Sequence, residues 1–150
     1  AGNSISPQCT LFDSMDVKFS FEDAGRSYFG RVFRPVAKVS LQSPQSALWA
    51  DTWMVVDTGA DFTILPRYLS EDLEISLEHD CMKDVTAGVG GQRTIYLVRS
   101  KIKARIGSLE RMIPLAFIDT NEVPALLGRL GFLETFDTEF LKSHMVVFNN

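Results

Sequence analysis

Cysteine and histidine are scarce in this chain, and their scarcity argues against several classes of protein. Its 150 residues include 2 cysteines and 2 histidines, at Cys9, Cys81, His79 and His144. Their spacing matches neither a disulfide framework nor a zinc site. We therefore expect no metal and no other cofactor. Two free thiols are the favoured prediction for the cysteines, with a single Cys9–Cys81 bridge as the alternative.

An excess of positive charge and long apolar runs are also lacking. Lys and Arg number 15 against 19 Asp and Glu, which gives a net charge of −4 and a pI near 5.1. An acidic chain repels phosphate backbones, so we expect no nucleic-acid partner. No apolar run reaches the length of a membrane span, so this segment is expected to make no membrane contact. Residues 1–6 are small and polar, unlike a signal peptide, and predict a cytoplasmic location.

The residues that are abundant indicate a globular domain built from strands. Apolar residues make up 45% of the chain and charged residues 23%, an ordinary composition for a domain of this length. Alternating and continuous apolar stretches predict strands at 17–21, 31–41, 48–56 and 112–118, a long hairpin over 82–106, and a closing hairpin of 140–141 with 145–148. Residues 125–128 are a short apolar run that ends in glycine. Short helices are predicted at 68–73 and 130–136. The predicted class is all-β with one or two short helices.

Basic residues line one face of the predicted return arm of the long hairpin. Arg99, Lys101, Lys103 and Arg105 alternate there with Ser100, Ile102, Ala104 and Ile106. The simpler interpretation is a solvated strand surface. A docking surface for acidic partners is the alternative.

The candidate for chemistry is Asp57, which begins the tripeptide Asp57-Thr58-Gly59. The tripeptide alone is weak evidence, because these residue types are common in turns. Its context is more specific: within 55–66, a carboxylate follows an apolar strand directly, sits in a turn that glycine permits, and precedes a second apolar strand. A carboxylate at the edge of an apolar core has a tunable pKa, as acid–base catalysis requires.

At this point the sequence resembles a known family. Residues 57–61, Asp-Thr-Gly-Ala-Asp, are similar to the active-site signature of the retropepsins, the proteases of retroviruses and their cellular and bacterial relatives. The glycine-rich tip at 88–91 resembles the flap that folds over substrate in that family. Residues 125–129, Ala-Leu-Leu-Gly-Arg, resemble the motif that passes behind the active site. Arg34-Pro35-Val36 and the closing segment look more like the cellular and bacterial members.

The resemblance implies a domain organisation. It covers about residues 31–148 and implies a half-barrel with a flap hairpin, assembled as a two-fold dimer. Residues 31–150 are therefore expected to form a retropepsin-like aspartic protease domain. Residues 1–30 are expected to be an N-terminal arm or added strand.

Hydrolysis by this chemistry needs two carboxylates, one to accept a proton from water and one to protonate the substrate carbonyl. A search of the sequence finds no second Asp-Thr-Gly or Asp-Ser-Gly. The Asp-Ser and Asp-Thr pairs that begin at Asp13, Asp119 and Asp137 each lack the glycine. The second carboxylate must then be Asp57 of another copy, which predicts a homodimeric aspartic endopeptidase acting on polypeptides.

The resemblance also implies roles for the neighbouring residues. Thr58 would lock the two active-site loops together, Gly59 would leave room for substrate, and Asp61 would hold substrate backbone and pair with Arg129. The support residues are then Thr58, Gly59 and Arg129, and the substrate-binding residues are Gly59, Ala60, Asp61, Phe62, Gly88, Val89, Gly90 and Gly91.

Simpler interpretations stand beside these roles. Thr58 is alternatively a strand-end residue, Gly90-Gly91 a plain hairpin turn, and Arg129 an exposed residue at a helix start. For the whole chain, the alternatives are a non-catalytic peptide-binding module that uses the same dimeric cleft, and a β-barrel that holds an apolar ligand.

Overall fold

The computed structural model describes residues 16–88 and 91–150. The strands are β1 (Val17–Ser20), β2 (Glu22–Ser27), β3 (Gly30–Arg34), β4 (Val36–Gln42), β5 (Trp49–Val56), β6 (Thr63–Pro66), β7 (Cys81–Gly88), β8 (Gly91–Val98), β9 (Ile102–Ile106), β10 (Leu109–Ile113), β11 (Leu115–Ile118), β12 (Leu126–Leu127), β13 (Asp137–Leu141) and β14 (Met145–Asn149). A short helix, α1 (Leu69–Asp72), follows β6, and a 3-10 turn spans Leu133–Thr135.

Within these described ranges the strands form three sheets. The largest has nine strands in the order β10-β9-β4-β5-β12-β6-β11-β8-β7. A second sheet of three strands has the order β1-β14-β13, and β2 with β3 forms a separate hairpin. The predicted all-β class and the curled half-barrel sheet are confirmed.

One face of the large sheet supplies the core. Strand β4 buries alternate residues, with Val39 and Leu41 at 0% and 1% exposure, and β5 buries Met54 and Val56 in the same way. Phe117 from β11 and Phe148 from β14 fill the space between the sheets, and both are fully buried. Alternate burial of this kind is the normal pattern of a strand with one face on a core.

Two predicted strands are each divided at a proline. The predictions of single strands over 31–41 and 112–118 were wrong in this respect, since Pro35 separates β3 from β4 and Pro114 separates β10 from β11. Proline has no N–H to donate to a ladder, so a strand ends there or changes partner. The Pro35 carbonyl accepts a hydrogen bond from Val56 N–H (2.9 Å). The chain thus passes from the β2–β3 hairpin into the large sheet beside the end of β5.

The long hairpin ends earlier than predicted. Strands β7 and β8 pair from Cys81 with Val98 to Gly88 with Gly91, whereas β9 pairs with β10 and β4. The prediction of one hairpin over 82–106 was therefore wrong in its return arm. The alternation within that arm was right, because Ile102, Ala104 and Ile106 are buried.

The last part of the chain forms the predicted closing hairpin, but the helix predicted before it is much shorter. The closing hairpin is present as β13 and β14, and β1 adds to its other side by pairing with β14. The helix predicted over 130–136 is only a 3-10 turn of three residues. Residues 1–15, which make up half of the predicted N-terminal arm and include Cys9, lie outside the described residues, so the division at residue 30 stays a prediction.

Candidate active site

Asp57 follows directly after β5, where three neighbouring strands of the large sheet lie side by side. Strand β12 lies between β5 and β6, parallel to β5 with Leu127 opposite Val56, and antiparallel to β6. Asp57 N–H donates to the Leu127 carbonyl (3.1 Å), so the backbone at the carboxylate is tied to the neighbouring strand. The side chain is half-buried. A carboxylate held at a strand end keeps a fixed position while its oxygens still reach solvent.

Gly59 shapes the turn beside the Asp57 carboxylate. Its N–H donates to Asp57 Oδ1 (2.9 Å), and Ala60 N–H donates to the Asp57 carbonyl (3.2 Å). A Cβ at position 59 would lie 3.2 Å from Asp57 Oδ1, which is tighter than ordinary van der Waals contact. Glycine therefore leaves space beside the carboxylate that a larger residue would fill.

The segment 128–130 braces the active-site loop from behind. Gly128 lies so close to the loop that a Cβ there would meet Phe62 Cα at 2.8 Å and the Phe62 carbonyl group closer still. Gly128 N–H donates to Thr63 Oγ1 (3.1 Å), Arg129 N–H to the Ala60 carbonyl (3.0 Å), and Leu130 N–H to the Asp61 carbonyl (2.8 Å). Two successive N–H groups thus bond to the backbone of the loop that carries Asp57, and a third bonds to the side chain of the residue directly after it.

Asp61 and Arg129 form the ion pair that the resemblance implied. Arg129 Nη2 lies 2.6 Å from Asp61 Oδ1, with side-chain exposures of 49% and 73%. The pair is open to solvent, so its contribution to stability is small. Within the described ranges the second oxygen of Asp61 has no hydrogen-bond donor, which leaves it free to accept a bond from a ligand.

Thr58 lies beside the closing hairpin. It is exposed and shares a cavity of about 270 Å³ with Thr138 and Phe140 of β13. Phe62 and Asp61 line a neighbouring cavity of about 300 Å³ with Arg129. The structure therefore brings 57–62 and Arg129 together in one place, next to β13.

Two of the four predicted flap residues lie at the end of the β7–β8 hairpin. Gly88 and Gly91 are opposite each other at the last described pair of the β7–β8 hairpin. Val89 and Gly90 lie outside the described residues. Strand β7 ends the sheet order, so the hairpin forms one margin of the molecule.

Other chemistries find no support among the residues described. Burial raises the pKa of the Cys81 thiol, Asp80 adds to this shift and Arg99 opposes it, whereas a nucleophilic thiol needs a lowered pKa. No group of three or more metal-ligating side chains occurs within 16–88 and 91–150. In the same ranges no helix is long and apolar enough to cross a membrane.

Sequence reasoning missed Thr63. It is completely buried, and its hydroxyl accepts the N–H of Gly128. The available signal was a hydroxyl residue at the start of the apolar run Ile64-Leu65-Pro66, where burial demands a hydrogen-bond partner.

Comparisons with known proteins agree with this geometry. A family model described as aspartyl protease matches residues 50–130. This range includes the loop that carries Asp57 and the segment 128–130 that is hydrogen-bonded to it. Among solved structures, a retropepsin-like aspartic protease from Rickettsia conorii superposes with a TM-score of 0.56 at 14% identity, covering 88% of this chain and 97% of that one. A search of curated proteins found no match. The family model spans more than half of the chain, and the chain therefore belongs to the aspartyl proteases, with the retropepsin-like fold.

Proposed function

We propose that the chain is an aspartic endopeptidase that acts as a two-fold homodimer, with one Asp57 carboxylate from each copy. The observation that carries the proposal is the half-buried Asp57 carboxylate on a braced loop, with Gly59 leaving space in front of it. A single carboxylate cannot both accept and donate the two protons that hydrolysis moves. The family match and the fold support a protease function, without identifying its catalytic residues.

In the proposed reaction the two carboxylates share one proton. The ionised carboxylate takes a proton from water as the water oxygen attacks the scissile carbonyl carbon, and the protonated carboxyl gives its proton to the carbonyl oxygen. The tetrahedral diol then collapses: the amine nitrogen gains a proton, the C–N bond breaks, and a carboxylic acid and an amine leave. No metal and no covalent enzyme intermediate are needed.

Features beside Thr58 support a partner chain. Strand β13 has β14 on one side and, among the described residues, no strand on the other. It also exposes Phe140 and Leu141, at 45% and 39%. An outer strand with free N–H and C=O groups and apolar side chains favours pairing with another chain. Because Thr58 and β13 line the same cavity, a second copy docking there would bring a second loop to the first.

The substrate contacts are proposed on the same geometry. An extended peptide would run past Asp57 and bond to the open oxygen of Asp61, with backbone hydrogen bonds giving grip and side-chain contacts at Phe62 giving preference. The β7–β8 hairpin is proposed as the flap, with Gly88, Val89, Gly90 and Gly91 at its tip.

The test is digestion of a denatured protein mixture by wild type and Asp57→Asn. We expect Asp57→Asn to lower the rate on the order of 10²–10⁴-fold, the usual range for a lost acid–base group, with an unchanged melting profile. Asp119→Asn is the matched control, since it removes a carboxylate that also precedes a threonine, and should cleave at nearly the wild-type rate. Equal cleavage by wild type and Asp57→Asn would refute the assignment. Peptide binding without cleavage by wild type would favour the binding module instead.

The homodimer has its own test. Activity per chain should fall as the enzyme is diluted, in step with the dimer fraction measured by sedimentation at the same concentrations. Full activity in a sample shown to be monomeric would refute the shared dyad.

A further inference from the structure

A cavity on the large sheet has the chemistry of a site for a basic side chain. Its volume is about 410 Å³, and apolar surface predominates in it. It is lined by Ser20, Glu22, Val36, Trp53, Val55 and Pro124. None of these residues was singled out as a site residue by sequence, and two of them, Ser20 and Glu22, come from the segment before residue 31.

The cavity lies on the same face of β5 as Asp57. Side chains alternate along a strand, and Met54 and Val56 are the buried ones on β5. Trp53 and Val55 therefore point to the opposite face, which Asp57 continues. At the usual strand rise, Val55 and Trp53 are about 7 and 13 Å before Asp57. The cavity is thus within a few residues' reach of a peptide bond held at the carboxylate.

Glu22 brings to this cavity a carboxylate that has no ion-pair partner among the described residues. Arg34 is directly opposite Glu22 in the β2–β3 hairpin, yet the two form no ion pair within the described residues, and no hydrogen bond to the Glu22 side chain occurs there either. Nearby Lys38 is engaged by Asp51 at 3.5 Å. The Glu22 carboxylate is exposed and lines the cavity instead of pairing with its neighbours.

Trp53 supplies an aromatic wall for a cation. Its exposure is 58%, and its ring is held by an edge contact with Phe19, with centroids 5.8 Å apart. Tryptophan is the strongest aromatic partner of ammonium and guanidinium groups. Val36, Val55 and Pro124 add apolar surface, against which the carbon stem of Lys or Arg packs while its charged end reaches a carboxylate.

We propose that this cavity is a substrate subsite that selects a lysine or arginine side chain, with Glu22 as the specificity-determining residue and Trp53 as its aromatic wall. The inference rests on the proposed peptidase function and narrows it: substrates carry a basic residue within a few positions of the cleaved bond. Phe62, on the other side of Asp57 in sequence, serves a separate position of the peptide.

The kinetic test uses a peptide that the enzyme is found to cleave. Lysine, or norleucine with the same stem but no charge, is placed in turn at each position on either side of the cleaved bond. At one position the wild type should prefer lysine, and Glu22→Gln should lower the lysine-to-norleucine ratio of kcat/KM about tenfold, as for a lost charge-assisted hydrogen bond. Asp23→Asn, which removes the neighbouring carboxylate of the same hairpin, is the control and should keep the wild-type ratio. The same ratio in wild type and Glu22→Gln at every position would overturn the subsite while leaving the peptidase intact.

A binding test separates failure of the subsite from failure of the peptidase function. Asp57→Asn protein, labelled with ¹⁵N, is titrated with an acetylated and amidated Ala-Ala-Lys-Ala-Ala peptide or its norleucine analogue. The chain has 2 tryptophans, so the Trp53 indole signal is followed with Trp49, whose ring lies under Arg105, as the internal reference. The lysine peptide should move the Trp53 signal more than the norleucine peptide, and adding Glu22→Gln should remove the difference. If wild type cleaves nothing, this result alone decides the subsite, and equal shifts, or none, with the two peptides would overturn it.

Discussion

The active-site loop and the β7–β8 hairpin are held in opposite ways. The loop over 57–62 receives hydrogen bonds from the N–H groups of Arg129 and Leu130, and the N–H of Gly128 bonds to Thr63 directly after the loop. Beyond Thr94, the described residues of the hairpin, 85–88 and 91–93, have backbone pairs only within the hairpin, because β8 meets β11 from Ile95 to Leu97 and Asp119 N–H bonds to the Thr94 carbonyl. Its side chains Met82 and Val85 are more than half exposed. One part of the molecule is therefore fixed from several sides, and the other is anchored only at its base.

The difference fits the demands of the proposed chemistry. A proton-sharing carboxylate must stay in place, because a small displacement of a reacting group costs much of the rate. A peptide must also enter and leave, so some element beside the site has to open. Few external contacts make local opening inexpensive, and the hairpin is the element that has few. The predictions below test this contrast between a braced loop and a loosely anchored hairpin.

The largest expected effect comes from a methyl group at Gly128. Gly128→Ala would place its Cβ less than 3 Å from backbone atoms of Phe62, so the two segments would have to move apart and lose the hydrogen bonds between them. We expect a loss of about 3–5 kcal/mol in the free energy of unfolding, the range of severe overpacking. Gly91→Ala in the hairpin should cost only about 1–2 kcal/mol, since its φ of +95° is unfavourable for alanine but nothing lies within 4 Å. Urea unfolding of both variants measures the difference, and equal losses would contradict the contrast.

A smaller effect is expected from a buried hydroxyl. Thr63→Val keeps the shape of the side chain but leaves the N–H of Gly128 without its acceptor, at a cost of about 1–3 kcal/mol. Thr138→Val is the matched control, because the Thr138 hydroxyl is buried without a partner among the described residues. Its loss should be neutral or stabilising. Comparable destabilisation by both variants, measured by urea unfolding, would show that the bond to Gly128 does not brace the loop.

The sequence alone predicted those parts of this site whose residues lie close together in the chain. Asp57 and Gly59 are two positions apart in the chain, so a single turn and its apolar flanks indicated this carboxylate as the candidate. Gly128-Arg129 was predicted by its resemblance to a motif. Thr63 was missed because its partner is 65 positions away in sequence, and no local pattern reports such a distance.

Of the errors in the fold, one has the same non-local origin and another does not. The alternation over 102–106 identified a strand and its buried face correctly, but it carries no information about which strand lies beside it. Pro35 and Pro114 did carry a local signal, the missing N–H, and the predicted strands ran through both. The cavity between Glu22 and Trp53 depends on the β2–β3 hairpin folding back beside β5, which follows from tertiary packing alone.

The smallest effect on stability is expected at Arg129, where the backbone and the side chain hold the loop separately. Arg129→Ala removes the ion pair with Asp61 but keeps the N–H bond to the Ala60 carbonyl. Because the pair is half exposed, unfolding should lose less than about 1 kcal/mol. Arg67→Ala is the control: it breaks another exposed pair, with Asp119, away from the loop, and should cost about as much.

The two variants should differ in assembly, since Arg129 and Thr58 line one cavity with β13. Activity per chain of Arg129→Ala should therefore begin to fall at a higher protein concentration than that of wild type or Arg67→Ala. Coincident dilution curves for all three proteins would mean that the Asp61–Arg129 pair has no part in joining the two copies.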